Sequence, residues 1–185
     1  GGALKHLSAI ELAAIAARAA LERTGVRPEM VEHVVMGNAL QTSGDALYGA
    51  RHVALKAGVP IAVPALTVNR ICGSGIQAAV SAAHIMLAGE AEVAIAGGME
   101  NMSQAPHVIR GARGGLRLGQ GALEDSLFVA LLDPYCGCTM ANTAENLARD
   151  LIARFRLAKD LLVLRPARAW AISSWPISGK STPSS

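Results

Sequence analysis

Apolar residues recur at helical spacing near the start of the chain. Leu12, Ile15, Ala16 and Ala19 lead through to Leu21, with Glu11, Arg18, Glu22 and Arg23 interleaved. Such a stripe predicts an amphipathic helix. Ser8 and Glu11 stand three apart, as a capping box requires, so Ser8 is expected to start it. Gly25 offers the left-handed residue that closes a helix, and Pro28 prevents continuation. Val31 to Met36, ended by Gly37, is rich in β-formers and predicts a strand. His33 on one face of it reads as a solvated histidine rather than a ligand. After a loop to Gly49, a helix holding Arg51, His52, Ala54 and Leu55 is stopped by Gly58 and Pro60. Pro64 to Val68 predicts a second strand and Glu92 to Ala96 a third. Between them Ile76 to Leu87 is alanine-rich on all sides, which predicts a helix buried between layers. Strand, helix and strand in alternation give an α/β sheet.

Composition changes this picture at one end. The chain has 185 residues, 51% of them apolar, enough for a sizeable core. No apolar run of membrane-spanning length is free of charge, so no membrane partner is expected. The first residues, Gly1 to His6, do not read as a signal peptide. Three cysteines, an odd count, suit a reducing cytoplasmic setting better than a disulfide framework. The net charge of +3 is unevenly placed. Residues 1–150 hold 11 Lys or Arg against 13 Asp or Glu, net −2, and residues 151–185 hold 6 against 1, net +5. Both tryptophans, Trp170 and Trp175, lie in that basic tail, so the charge gives the main body no nucleic-acid partner.

The candidate chemistry centres on Val68-Asn69-Arg70-Ile71-Cys72-Gly73-Ser74-Gly75, where a strand passes directly into a helix. Orphan N–H groups and the macrodipole at a helix N-terminus favour a thiolate, which makes Cys72 a candidate nucleophile. Gly73 and Gly75 allow close approach of substrate. A buried inert thiol is the competing reading of a lone cysteine. His84 lies roughly 18 Å along the helix from Cys72, too far to pair with it. Gly97-Gly98 lacks a dinucleotide-binding pattern. Beyond Pro106, glycines alternate with Arg110, Arg113 and Arg117, either as a solvated loop or as cations for phosphate. Cys136 and Cys138 could ligate zinc, but no further Cys follows and no His lies near, so no metal site is expected. Asn142 with Glu145 predicts another helix start.

Several of these segments together resemble the thiolases, which make or cleave a carbon–carbon bond in acyl-CoA substrates. The matches are Asn69 to Gly75 (N-x-x-C-G-S-G), Gly97 to Ser103 and Met140 to Leu147, in family order and spacing, with Gly37-Asn38-Ala39-Leu40-Gln41 as a further turn. The resemblance implies the N-terminal half of a thiolase fold: αβα layers around a mixed sheet, with the start of a loop lobe that covers CoA. It implies domain limits of 1–105 for a core lacking its first strand, 106–150 for the lobe, and 151–185 for a non-family tail, as a shifted reading frame or engineered junction would produce. Residues 151–165 could form an amphipathic helix, and 173–185 read as disordered. The resemblance further implies that Cys72 accepts the acyl group and that Met140 lines the acyl and pantetheine channel. Thr139 stands where many biosynthetic members have histidine. The branch most resembled is that of 3-ketoacyl-CoA and acetyl-CoA acyltransferases of fatty-acid β-oxidation, with CoA as substrate, no other cofactor, and a homodimer or homotetramer. The family's G-H-P, N-E-A and C-x-G motifs do not occur here, so this chain by itself is expected to be inactive. A non-catalytic acyl-CoA-binding relative and a helical interaction fragment are the alternatives.

Overall fold

The computed structural model describes the backbone of residues 2–157 and the side chains of residues 2–152. The chain divides into two compact units, Gly1–Gly137 and Cys138–Ser185. In the first unit, α1 (Ala9–Thr24) is capped at both ends as its sequence predicts. Glu11 N–H donates to Ser8 Oγ at 3.1 Å, and Ser8 N–H donates back to Glu11 Oε2 at 2.7 Å. Gly25 closes the helix with φ 70°, its N–H donating to the Glu22 carbonyl.

The sheet contains β1 (His33–Gly37), β2 (Ala65–Val68) and β3 (Ala94–Gly98) in the order β2-β1-β3, all parallel. Between the strands run α2 (Gly49–Lys56) and α3 (Ser74–Leu87). Successive residues of β1 point to opposite faces, and all of Val34, Val35 and Met36 are buried. Val34 and Met36 join Ile10, Ala13, Ala17, Val53 and Ala54, so α1 and α2 form one layer. Val35 packs with Ala78 and Ala82, which places α3 on the other face. That is the αβα arrangement. Outside that sheet, β4 (His107–Ile109) and β5 (Leu123–Asp125) pair as a short antiparallel ribbon, followed by α4 (Ser126–Leu131).

Three expectations are corrected. The buried stripe of α1 is Ala9, Ile10, Ala13, Ala14, Ala17 and Leu21, while Ile15 is 48% exposed. The inward face is the alanine-rich one because small side chains let α1 lie close against α2, an advantage that apolar periodicity alone does not register. Burial of α3 on all sides is not met either. Only Ser74, Ala78 and Ala82 are buried, with Ile76 at 76% and Leu87 at 84% exposure. One sheet face covers one stripe, and nothing among the described residues covers the other. Finally, His33 is half-buried and its Nδ1 is buried without a hydrogen-bond partner, rather than solvated.

In the second unit α5 (Met140–Leu157) begins three residues before Asn142 would have capped it at 143. The Thr139 hydroxyl accepts from Asn142 N–H at 3.2 Å and donates to Asn142 Oδ1 at 2.6 Å, so threonine takes the capping role. Residues 151–157 continue α5, and the remainder of the tail, including the expected helix end at 165 and the disorder at 173–185, lies outside the described residues. Among the described residues no helix is long and apolar enough to cross a membrane.

The capping box yields a stability prediction with a pH signature. Ser8→Ala removes a cap hydrogen bond and should lower the unfolding free energy by about 1 kcal/mol at neutral pH. The bonds from Ser8, backbone first and then side chain, hold the Glu11 carboxyl below its ordinary value of 4.5. A depressed carboxyl contributes stability that is full above its unfolded value and is lost as pH falls through its folded value. Because alanine at position 8 keeps the main-chain donor, the pH signature is read from Glu11→Gln, whose gap from wild type in urea midpoint should narrow on acidification below 4.5. A gap constant with pH would show that Glu11 takes no part.

Candidate active site

The carboxyl ends of the three parallel strands lie in one row, because the register sets Gly37 beside Val68 on one side and beside Gly98 on the other. Ligands of open parallel sheets bind beyond such ends. Four residues past Val68 the chain reaches Cys72, which is exposed. The turn between is tightly bonded. Asn69 Nδ2 donates to the Ala39 carbonyl at 3.0 Å, and Asn69 Oδ1 accepts from Ile71 N–H at 2.9 Å. The Ser74 hydroxyl accepts from Arg70 N–H at 2.9 Å and donates to the Ile71 carbonyl at 2.6 Å. Ile71 has φ 50°, left-handed backbone that a β-branched residue rarely adopts. Gly73 precedes the first residue of α3, so Cys72 sits just outside the helix rather than inside its first turn.

The start of α3 rests directly on the strand ends. A Cβ on Gly37 would overlap the Ser74 carbonyl group and come within 2.7 Å of Gly75 N, and one on Gly98 would lie 3.6 Å from Gly75 Cα. Glycine at 37 is a packing requirement.

A second set of bonds lashes the neighbouring loops to that row. Asn38 N–H donates to the Val68 carbonyl and Met99 N–H to the Gly37 carbonyl. The Glu100 carboxylate accepts from Ala39 N–H and Leu40 N–H, each at 3.0 Å, and from Asn38 Nδ2 at 3.1 Å. Asn38 is 2% exposed and also donates to the Met99 carbonyl. Buried Asn101 donates to the Leu7 carbonyl at 2.6 Å. Under them Met99 is buried. Thr67 Oγ1, on β2, accepts from Ala50 N–H at 2.9 Å and so caps α2 from the sheet.

Of the residues singled out in the sequence, Cys72 is at the centre of this arrangement in the first unit, and Met140 is the first residue of α5 in the second unit. Among the described residues no side chain hydrogen-bonds to the Cys72 sulfur, and His84 is exposed on α3. Arg110 is engaged by Glu124 at 2.7 Å across the β4–β5 ribbon, which neutralises one of the three arginines considered for phosphate. Among the described residues no three His, Cys, Asp or Glu side chains converge as a metal site would require. Glu100, Asn38 and Asn101 were not singled out individually. A detectable signal was there: Gly-Asn and Gly-Gly-Met-Glu-Asn each follow a strand directly, where polar side chains meet unsatisfied strand-end groups.

The thiolase N-terminal domain, as a family, matches residues 1–160. The chain belongs to the thiolase family. It is 52% identical over 149 residues to a human mitochondrial 3-ketoacyl-CoA thiolase, covering 80% of this chain and 38% of that protein. It is 49% identical over 151 residues to an acetyl-CoA acetyltransferase of Cupriavidus necator, covering 81% and 38% respectively. Crystal structures of human mitochondrial 3-ketoacyl-CoA thiolase, one in complex with CoA, superpose with a TM-score of 0.80 at 50% identity, over 82% of this chain and 39% of theirs. This thiolase chain thus spans less than two-fifths of the length of those relatives, and the α/β layered fold expected of an N-terminal thiolase portion is the fold observed, its three-stranded sheet being wholly parallel rather than mixed.

The seating of α3 is testable. Gly37→Ala forces backbone against backbone, where no rotamer change relieves it, and should cost about 3 kcal/mol or more in urea unfolding. Gly44→Ala, where an added Cβ meets nothing, is the control and should fall within about 0.5 kcal/mol of wild type. Equal losses at the two sites would mean that Gly37 is not a contact point.

Proposed function

We propose that this chain supplies the nucleophile-bearing portion of a thiolase that transfers acyl groups between acyl-CoA and CoA or acetyl-CoA through an acyl-enzyme on Cys72. The observation that carries the reading is the exposed Cys72 in the N-x-x-C-G-S-G turn, set beyond the aligned ends of three parallel strands. In thiolysis, the Cys72 thiolate attacks the 3-keto carbonyl of a 3-ketoacyl-CoA. The bond between C2 and C3 breaks, and the two-carbon fragment leaves as the enolate of acetyl-CoA, which takes up one proton. The thiol of a second CoA then loses its proton and attacks the thioester on Cys72, releasing acyl-CoA and restoring the thiolate. Condensation is the reverse. Two steps with a covalent intermediate replace one more difficult step. The base, the second cysteine and an oxyanion hole, as the resemblance implies them, belong to G-H-P, C-x-G and N-E-A motifs that this sequence does not contain.

The same reading places the core at 1–105, the start of the CoA-covering lobe at 106–150 and a non-family tail at 151–185, with Met140 lining the acyl and pantetheine channel. Arg113 and Arg117, exposed in the lobe and without an acidic partner among the described residues, are the cations left for CoA phosphates. The odd cysteine count supports a reducing setting, for which the reading takes the cytoplasm. Among the described residues the outer edge of β2 is unpaired, with Leu66 exposed beside it, and this supports a homodimer or homotetramer paired through β2.

Four outcomes are expected. When a chain extended to the length of the relatives is incubated with acyl-CoA and digested, the acylated peptide should contain Cys72; acyl on Cys136 or Cys138 alone would sink the assignment. Cys72→Ser in that form should lower kcat by roughly a thousandfold or more, since an alcohol is a far weaker nucleophile than a thiolate. The 185-residue chain alone should give no thiolysis of acetoacetyl-CoA above a thiol-only control. Gel filtration of the extended chain at micromolar concentration should show dimer or tetramer, and a monomer would overturn the role given to β2.

A further inference from the structure

We propose that Asn69 and Ser74 are positioning residues that together hold Ile71 in its left-handed conformation and so fix the direction in which Cys72 is presented. The proposal rests on Cys72 being the nucleophile. A β-branched residue at φ 50° is strained, and such strain persists only where the surroundings over-determine it. Packing of the side chain is not what holds it, because Ile71 is 69% exposed. Hydrogen bonds hold both of its peptide groups instead. On the amino side, Ile71 N–H donates to Asn69 Oδ1 at 2.9 Å. On the carboxyl side, the Ile71 carbonyl accepts from Ser74 Oγ at 2.6 Å and from Ser74 N–H at 3.1 Å. The same Ser74 Oγ takes Arg70 N–H at 2.9 Å, so one hydroxyl spans the turn from the residue before Ile71 to its carbonyl.

Each clamp residue is itself anchored. Ser74 is 4% exposed, pressed against Gly37 of the central strand, so water does not compete for its hydroxyl. Asn69 is exposed but held through Nδ2 to the Ala39 carbonyl, in the loop whose Ala39 and Leu40 N–H groups are fixed by Glu100. Release of either bond would let Ile71 relax to negative φ. The peptide between Ile71 and Cys72 would then rotate, and the thiol would leave the direction set by the strand ends. A nucleophile gains rate from a fixed line of attack, and small misplacements are costly.

The test is iodoacetamide labelling of the 185-residue chain, read residue by residue from peptide masses, with circular dichroism confirming the fold. In the wild type, Cys72 should label faster than Cys136 and Cys138. Ser74→Ala and Asn69→Ala should each slow Cys72 by roughly tenfold and leave Cys138 unchanged, which a general loss of structure would not do. Asn69→Asp keeps the acceptor for Ile71 N–H but loses the Nδ2 donor to the Ala39 carbonyl, so it should retain part of the rate that Asn69→Ala loses. Ile71→Gly added to Ser74→Ala should recover part of the loss, because glycine adopts positive φ without strain. Wild-type labelling rates in folded Ser74→Ala and Asn69→Ala, or no recovery from Ile71→Gly, would overturn the proposal. Should Ser74→Ala not fold, Asn69→Asp against Asn69→Ala decides, and equal loss in both overturns it. If wild-type Cys72 labels no faster than Cys136 and Cys138, it is the nucleophile reading that falls. The clamp is then read from the Ile71 HN–Hα coupling and Cβ shift: a change in Ser74→Ala supports it, and an unchanged left-handed signature refutes it.

Discussion

The contact on which the rest depends is that between the first turn of α3 and the glycine at the end of the central strand. Gly37 leaves room for the Ser74 backbone at a separation that any side chain would close. Because β1 sits between β2 and β3, this contact places the helix over the middle of the sheet rather than at its rim. The strand that delivers Cys72 and the helix that follows it are thus joined by a turn with no freedom to slide. A longer loop could have joined the same elements, but it would not hold a thiol in a fixed place.

Polar groups at the strand ends do the remaining work of fixing that place. Main-chain donors and acceptors that run out of partners at the strand ends must be satisfied, and here Asn38 and Glu100 satisfy them, while Asn101 ties the segment before α1 to the same loop. Glu100 takes three donors from one loop, which is how a single carboxylate can order residues 38–40. The consequence is a rigid floor beneath an exposed cysteine. Apolar surface on the outer face of α3, with Ile76 and Leu87 uncovered, is consistent with a chain that spans less than two-fifths of its relatives.

Much of this was legible in the residues. Ser8, Glu11 and Gly25 act over three or four positions, so their sequence spacing is enough to define both ends of α1. Alternation of strand and helix likewise identified the α/β class, and Cys72 between β2 and α3 could be read as a junction because both neighbours carry local signals. Side-chain burial was less legible. The face that α1 turns inward is decided by how near α2 can come, and the covering of α3 by what lies across from it, neither of which is a property of a single helix. The start of α5 moved to Thr139 because two side chains bond to one another there, a choice between near-equal caps. Left-handed Ile71 had no signal at all, since its propensity argues against that conformation; only Asn69 and Ser74, converging on its two peptide groups in the folded chain, make it the lower-energy state. Local periodicity and caps thus determined the elements and their order, while the direction of the thiol was decided by bonds between residues whose meeting only the tertiary fold creates.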